Sequence, residues 1–203
     1  MRIVLKVDVD TYEGTRLGVP ALVEACLRHR VPATFLFSLG PDHTGRAIKR
    51  VFRPGFLSKV SRTSVLEHYG LKTLLYGTLL PGPDIGRRCA QILRDTAAAG
   101  MEVGVHCFDH ARWQDDLVRG GPLLARREMR RAVERFFDIF GFAPVVHGAA
   151  GWQMTDDALK LEAQTTSDRL VEQLKQKNIS VTSALNGATS FTINGVPADQ
   201  DAT

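Results

Sequence analysis

Two short motifs hold the residue types from which hydrolytic metal sites are built. Asp8 and Asp10 are two positions apart, and His106 and His110 are four positions apart. Side chains alternate along a β-strand, so the two aspartates would face the same way. The histidine spacing would put both imidazoles on one side of a helical turn, where they could share one metal ion. The alternative for the histidines is a partly buried pair that is satisfied by backbone groups.

A divalent cation would stabilise this arrangement. Two carboxylates that face each other inside a protein repel one another unless positive charge lies near them. Two imidazoles and one carboxylate would bind such an ion and leave coordination positions open for water. Open positions are typical of catalytic sites, in which the ion polarises a carbonyl group and activates water. The motifs therefore predict hydrolytic chemistry rather than a closed structural site.

The elements that must position these groups alternate between strands and helices. Strands are predicted at 2–8, 33–38 and 102–106 and from 144 onward, and helices at about 19–27, 84–98 and 122–140. This alternation predicts an α/β fold with a parallel sheet or barrel, in which catalytic groups gather at the carboxyl ends of the strands. All four aspartate and histidine side chains lie at such ends.

Composition and charge narrow the function classes. Of the 203 residues, 44% are hydrophobic and 24% are charged, which is ordinary for a globular domain. No apolar run reaches the ~18 to 20 residues of a spanning helix, and no signal peptide opens the sequence. Three widely spaced cysteines predict neither a disulfide framework nor a thiolate zinc site. We therefore expect a cytoplasmic protein, and the mild net charge of +4 predicts a solvated surface rather than a nucleic-acid partner.

The stretch from Arg46 to Lys72 combines basic and apolar side chains. It has seven basic residues against the single acid Glu67, a net charge of +6. Such a segment is typical of a surface that approaches an anionic membrane, with apolar side chains at the headgroup boundary. The alternative is a solvated lid packed on the barrel. The residues predicted to face the membrane are Phe52, Arg53, Phe56 and Lys59.

Four motifs in this order resemble a known family. They are 7–16 with 18–20, 37–42 with 45–46, 102–110 with 113–114, and 149–153. Together they resemble the polysaccharide-deacetylase superfamily, and within it the deformylases that act on undecaprenyl-phosphate-linked 4-formamido-arabinose. The resemblance covers about residues 1–164.

The resemblance implies a fold and a metal site. The fold would be a distorted (β/α)7 barrel of the NodB type, truncated here after the fourth to fifth βα unit. One divalent metal ion, Zn²⁺ as the first choice, would be bound by Asp10, His106 and His110. Asp8 would be the general base, although the roles of the two aspartates could be reversed.

The same resemblance implies a substrate site and an activity. Trp152, Gly151 and Ala150 would line the pocket, with Trp152 offering an apolar face to the sugar. A core tryptophan is the alternative. The activity would be hydrolysis of the N-formyl group of undecaprenyl-phosphate-linked 4-formamido-4-deoxy-L-arabinose, in lipid A modification and polymyxin resistance. The enzyme would be peripheral at the inner face of the cytoplasmic membrane.

The match ends near residue 164, and this departure keeps other functions open. Residues 165–203 form an unassigned tail in which strands around an Asn186-Gly187 turn predict a hairpin. The family's later histidine, a general acid, has no counterpart, since no histidine follows His147. His147 is a candidate acid or a structural residue, and His29, His43 and His68 are predicted to be surface residues. The alternatives are another N-acyl-sugar deacetylase and a catalytically inactive metal-binding module.

Overall fold

The computed structural model describes residues 4–46, 73–156 and 158–160, together with the backbone of strands at 179–183, 189–193 and 196–197. The chain divides into two compact units, Met1–Leu159 and Lys160–Thr203. The predicted membrane-facing residues Phe52, Arg53, Phe56 and Lys59 lie outside the described residues, as does His68.

In the part of the first unit that the structure describes, the central element is a parallel sheet of three strands. They are β1 (Leu5–Val9), β2 (Ala33–Ser38) and β3 (Glu102–Cys107). Their order is β1-β2-β3, so β2 lies at the centre. Phe35, Leu36 and Phe37 of β2 are all buried, as expected for a parallel strand that is covered on both faces. Because the strands are parallel, the carboxyl ends of β1 and β3 lie at the same end of the sheet, with β2 between them.

Within the described residues, four α-helices accompany this sheet. They are α1 (Val19–His29), α2 (Ile85–Arg88), α3 (Ala90–Ala98) and α4 (His110–Phe140), and a π-helix at Gly14–Gly18 leads into α1. The helix predicted at 84–98 is divided because Cys89 leaves helical geometry, with φ −107° and ψ 11°. The helix predicted at 122–140 begins earlier, at His110. It is broken at Gly121 (φ 58°, ψ −156°), a conformation that suits glycine, and Pro122 then starts the second segment.

The core lies between the sheet and the helices. Fully buried side chains include Phe35 and Phe37 of β2, Leu93 of α3 and Phe136 of α4. Each such side chain stabilises the fold by about 1.5–3 kcal/mol relative to an exposed one. The helix α1 is only partly buried. Val19 and Cys26 of this helix are buried, whereas Leu22 and Leu27 are exposed.

The strand predicted from residue 144 is present only as a single parallel bridge beside β3. The amide of Val105 donates to Val146 O at 2.9 Å, and the amide of Gly148 donates to Val105 O at 3.0 Å. A Cβ at Gly104 would lie 2.5 Å from Val146 O, so only glycine permits this approach. The bridge fixes the position of the segment that follows, which contains Gly148.

The second unit contains an antiparallel sheet. Its strands are β4 (Ile179–Ser183), β5 (Thr189–Ile193) and β6 (Val196–Pro197), in the order β4-β5-β6. Ile179 pairs with Ile193 and Ser183 with Thr189, which agrees with the predicted hairpin. Within the described parts of the whole chain, no helix has both the length and the apolar character needed to cross a membrane.

Candidate metal centre

The carboxyl ends of β1 and β3 bring three predicted ligands together. Asp10 directly follows β1, His106 is near the end of β3, and His110 is the first residue of α4. His106 Nε2 lies 3.1 Å from Asp10 Oδ1, and His110 Nε2 lies 3.6 Å from Asp10 Oδ2. One donor atom from each residue lies within 4.8 Å of the others. The three donor atoms are thus close enough to one another to share one ion.

The helical-turn geometry expected for the two histidines is wrong. β3 continues through His106 to Cys107, and α4 starts only at His110. The chain changes direction at Asp109, whose side chain caps α4 by accepting a hydrogen bond from the Arg112 amide at 3.1 Å. The two imidazole rings nevertheless have centroids 5.4 Å apart. The two histidines therefore converge because His106 is near the end of a strand and His110 begins a helix, and not because they share one helical turn.

A backbone carbonyl fixes the orientation of His106. Its Nδ1 lies 2.6 Å from Gly148 O. A carbonyl oxygen only accepts, so Nδ1 carries the hydrogen and donates it. This bond leaves Nε2 directed at Asp10. Hydrogen bonds of this kind to the second ring nitrogen orient histidine ligands in metal sites.

The residues present fit a divalent cation. Asp10 Oδ1 is buried and has no hydrogen-bond partner among the described residues. Burial alone would raise the pKa of Asp10, but His106 and His110 outweigh it and hold the pKa below its ordinary value. A positive charge would stabilise a buried carboxylate oxygen that lies next to an imidazole nitrogen. The mixed nitrogen and oxygen donors are those that Zn²⁺ accepts.

Asp8 lies beside the trio but has a different partner. Its Oδ2 accepts a hydrogen bond from Lys6 Nζ at 2.9 Å. Its Oδ1 is 4.0 Å from His106 Nδ1, the nitrogen that already donates to Gly148. The structure therefore separates the two aspartates, with Asp10 against the histidines and Asp8 against a lysine.

The Ala150–Trp152 turn presents Trp152 outward. Gly151 (φ 60°) and Trp152 (φ 58°) both have positive φ, which is uncommon for a tryptophan and typical of strained functional loops. Trp152 is 88% exposed, and Lys6 Nζ lies 5.2 Å from the centroid of its ring. The alternative of a core tryptophan is therefore wrong for Trp152, whereas Trp113 is a core residue. Ala150 is fully buried beneath the turn.

The surface assignment of His43 is also wrong. Its Nδ1 lies 2.7 Å from Asp109 Oδ2, and its side chain is mostly buried. Burial would raise the pKa of Asp109, but the hydrogen bond and charge of His43 hold it below its ordinary value. The neighbouring Asp42 is buried and accepts hydrogen bonds from the backbone of Tyr12 at 2.8 Å and of Thr44 at 3.0 Å. These polar residues follow the end of β2, and that position was the signal that could have identified them.

Two further polar residues have structural surroundings. His147 Nε2 lies 3.2 Å from His106 O, and its ring packs edge-on to Trp113 with centroids 6.0 Å apart. Glu128 of α4 is fully buried, with Arg112 Nη1 at 3.6 Å and Arg131 Nη1 at 3.5 Å from its Oε1. Neither carboxylate oxygen has a hydrogen bond within the described residues, and burial raises the pKa of Glu128.

This fold is that of the polysaccharide deacetylases. A solved polysaccharide-deacetylase structure from Mycobacterium smegmatis superimposes with a TM-score of 0.52 at 19% identity, covering 80% of this chain and 47% of that one. At this identity the likeness concerns the fold alone. It confirms the predicted α/β class of the NodB type.

Sequence comparison identifies particular relatives. The 4-deoxy-4-formamido-L-arabinose-phosphoundecaprenol deformylase ArnD of Shewanella sediminis is 41% identical over 156 residues, which are 77% of this chain and 51% of that protein. The ArnD protein of Wigglesworthia glossinidia brevipalpis is 40% identical over 101 residues, 50% of this chain and 35% of that protein. No family model matches the chain. The predicted resemblance is confirmed, and the chain spans about half the length of the first relative.

Proposed function

We propose that this chain carries the metal centre of an amide hydrolase that removes the N-formyl group from an amino sugar. The proposal rests on the convergence of Asp10, His106 and His110. His106 Nε2 lies 3.1 Å from Asp10 Oδ1, and this oxygen has no hydrogen bond among the described residues. Zn²⁺ is the ion of choice, because a site of two imidazoles and one carboxylate with open positions is typical of catalytic zinc.

The residues around this centre have distinct roles in the proposed reaction. Asp10, His106 and His110 would hold the ion, which supplies Lewis-acid polarisation of the acyl carbonyl. Asp8 would act as general base and take a proton from the attacking water. It is suited to this role because it lies next to the trio but outside it, 4.0 Å from His106 Nδ1. The exposed ring of Trp152 would offer its apolar face to the sugar.

The substrate class comes from the names of the relatives. Both ArnD proteins are named as deformylases of 4-deoxy-4-formamido-L-arabinose-phosphoundecaprenol. We therefore assign to this chain an N-formylated amino sugar linked to undecaprenyl phosphate, in lipid A modification and polymyxin resistance. A substrate in a bilayer requires a protein that reaches the inner face of the cytoplasmic membrane. The basic and apolar residues between 46 and 72 are our candidates for that contact.

Release of formate is the direct test of this function. The Zn²⁺-loaded chain would be incubated with a 4-formamido-arabinosyl phosphate lipid and, in parallel, with its acetamido analogue. We expect formate from the first substrate and little acetate from the second. Acetate as the main product would instead favour an N-acetyl-sugar deacetylase.

Two aspartate variants make this test specific. Asp8→Asn should retain the ion and lose about 10² to 10⁴ in rate, because it removes the general base. Asp10→Asn should lose both the ion and the activity, because it removes a ligand. A chain that binds Zn²⁺ but hydrolyses neither substrate would be a metal-binding module, and the proposed activity would be wrong.

A further inference from the structure

We propose that Lys6 determines which of the two aspartates binds the metal ion. It would do so as a positioning residue, by holding the carboxylate of Asp8 outside the coordination sphere and in place for proton transfer. This inference rests on the proposed function, since it assigns the division of labour between Asp8 and Asp10 within the same site.

The geometry of β1 brings the three side chains into one row. Lys6 and Asp8 are at alternate positions of β1 and so share one face of the strand, and Asp10 continues this alternation directly after the strand ends. Asp10 directs its two oxygens at two imidazole nitrogens, at 3.1 and 3.6 Å. Asp8 directs Oδ2 at Lys6 Nζ, at 2.9 Å. Two chemically identical side chains thus differ in their partners, and the partner that distinguishes them is Lys6.

The other oxygen of Asp8 does not compensate for a lost lysine. Oδ1 is 4.0 Å from His106 Nδ1, beyond hydrogen-bond distance, and that nitrogen donates to Gly148 O at 2.6 Å. Among the described contacts, the bond from Lys6 is therefore what fixes the direction of the Asp8 carboxylate. If the ammonium is removed, a carboxylate next to a divalent cation is free to rotate toward it. A carboxylate that coordinates the ion is no longer a free base.

Lys6 is itself held in place by its surroundings. Its Nζ lies 5.2 Å from the centroid of the Trp152 ring, which is within cation–π range. A Cβ at Gly148 would lie only 3.6 Å from the same atom, so the ammonium lies against the backbone segment that orients His106. The Lys6 and Asp8 side chains are 41% and 32% exposed, so the pair contributes little to stability. Its effect is on orientation, and it should be visible in the metal centre rather than in unfolding.

Cobalt substitution tests this inference without relying on activity. The full chain and its Lys6→Met and Lys6→Arg variants would be loaded with Co²⁺, whose visible absorption is strong in four-coordinate sites and weaker when further ligands bind. We expect Lys6→Met to lose absorption intensity as Asp8 joins the ion, and Lys6→Arg to keep the wild-type spectrum. Arg28→Met, which breaks an exposed pair with Glu24 on α1, is the matched control and should also keep it.

Kinetics on the formamido sugar provide the second readout. Lys6→Met should lower kcat by about 10²-fold while KM stays near the wild-type value, because a general base is misplaced and the substrate is still bound. Lys6→Arg should restore most of kcat. A Lys6→Met variant with wild-type spectrum and wild-type kcat would overturn the inference. If the wild type binds Co²⁺ but hydrolyses neither sugar, the proposed activity is wrong and the spectra alone decide the role of Lys6. A chain that binds no Co²⁺ refutes the metal centre, and the role of Lys6 with it.

Discussion

His43 and Asp109 form a largely buried hydrogen bond, with His43 Nδ1 2.7 Å from Asp109 Oδ2. Asp109 directly precedes His110 and also caps α4 through the Arg112 amide. The bond therefore connects the loop after β2 to the end of α4 that carries a candidate ligand. Two elements far apart in sequence are joined next to the metal centre.

Replacement of His43 should weaken metal binding. In His43→Ala, the buried Asp109 carboxylate loses its hydrogen-bond partner, so the first turn of α4 and His110 lose part of their support. We expect about a tenfold fall in Zn²⁺ affinity, as is typical when a group behind a ligand is removed. Competition with a chromophoric chelator would measure it. His29→Ala, at an exposed histidine, is the control; a folded His43→Ala with unchanged affinity would contradict the prediction.

Glu128 should make the fold less stable at neutral pH than a neutral side chain would. Burial raises its pKa above the ordinary 4.5, so the folded state favours the protonated form. Glu128 thus contributes stability that is full below about pH 4.5 and is lost as the pH rises through its folded-state pKa. Glu128→Gln, which is neutral throughout, should raise the free energy of unfolding at pH 7 by roughly 1 kcal/mol. The difference should shrink below pH 4.5.

Urea unfolding at several pH values would measure this difference. Glu134→Gln, at an exposed i,i+4 pair with Arg130, is the control and should change stability by less than about 0.5 kcal/mol. A Glu128→Gln variant that is less stable at pH 7 would mean that attraction to Arg112 and Arg131 outweighs the cost of burial.

Gly148 should not tolerate a side chain. A Cβ at Gly148 would overlap Cδ1 of Leu36, a buried residue of β2. The carbonyl oxygen of Gly148 also orients His106. Gly148→Ala should therefore cost about 1–3 kcal/mol of stability and also weaken Zn²⁺ binding. Gly18→Ala is the matched control, because a Cβ at Gly18 meets nothing within 4 Å. Equal unfolding free energies for the two variants would contradict the close contact.

The segment from 46 to 72 should bind anionic membranes. Its net charge of +6 and its apolar residues predict attraction to an anionic surface, with each cation near it contributing about 1 kcal/mol before screening. Co-sedimentation with anionic vesicles should decrease with salt and decrease further in a Phe52→Ser, Phe56→Ser variant. A folded chain that ignores such vesicles at low salt would refute the membrane role of this segment.

The three strands of the parallel sheet and the convergence of Asp10, His106 and His110 could be predicted because their signals are local. The continuous apolar run of β2 marks a buried parallel strand, and its predicted bounds, 33–38, agree with the structure. Asp10 and His106 converge because the carboxyl ends of parallel strands lie at the same end of the sheet, which is a general property of the fold class.

The remaining features depend on contacts between distant segments. The partner of His43 lies 66 positions away, and the interruption at Cys89 changes a helix whose apolar pattern continues across it. Trp152 is exposed in a turn with two successive positive φ values, a geometry that periodicity cannot reveal. Local patterns thus predicted which residues meet at the site, but not how the surrounding side chains hold them.

Stoichiometric Zn²⁺ binding tests the central claim most directly. Purified chain would be titrated with Zn²⁺ by calorimetry, and its thermal unfolding would be followed with and without the ion. We expect one ion per chain and, at a free concentration of 100 Kd, about 2.7 kcal/mol of added stability. His106→Ala and His110→Ala should lose both effects, whereas His29→Ala should keep both. Absence of stoichiometric binding in the folded wild type, or stabilisation that persists in His106→Ala, would contradict a metal centre at Asp10, His106 and His110.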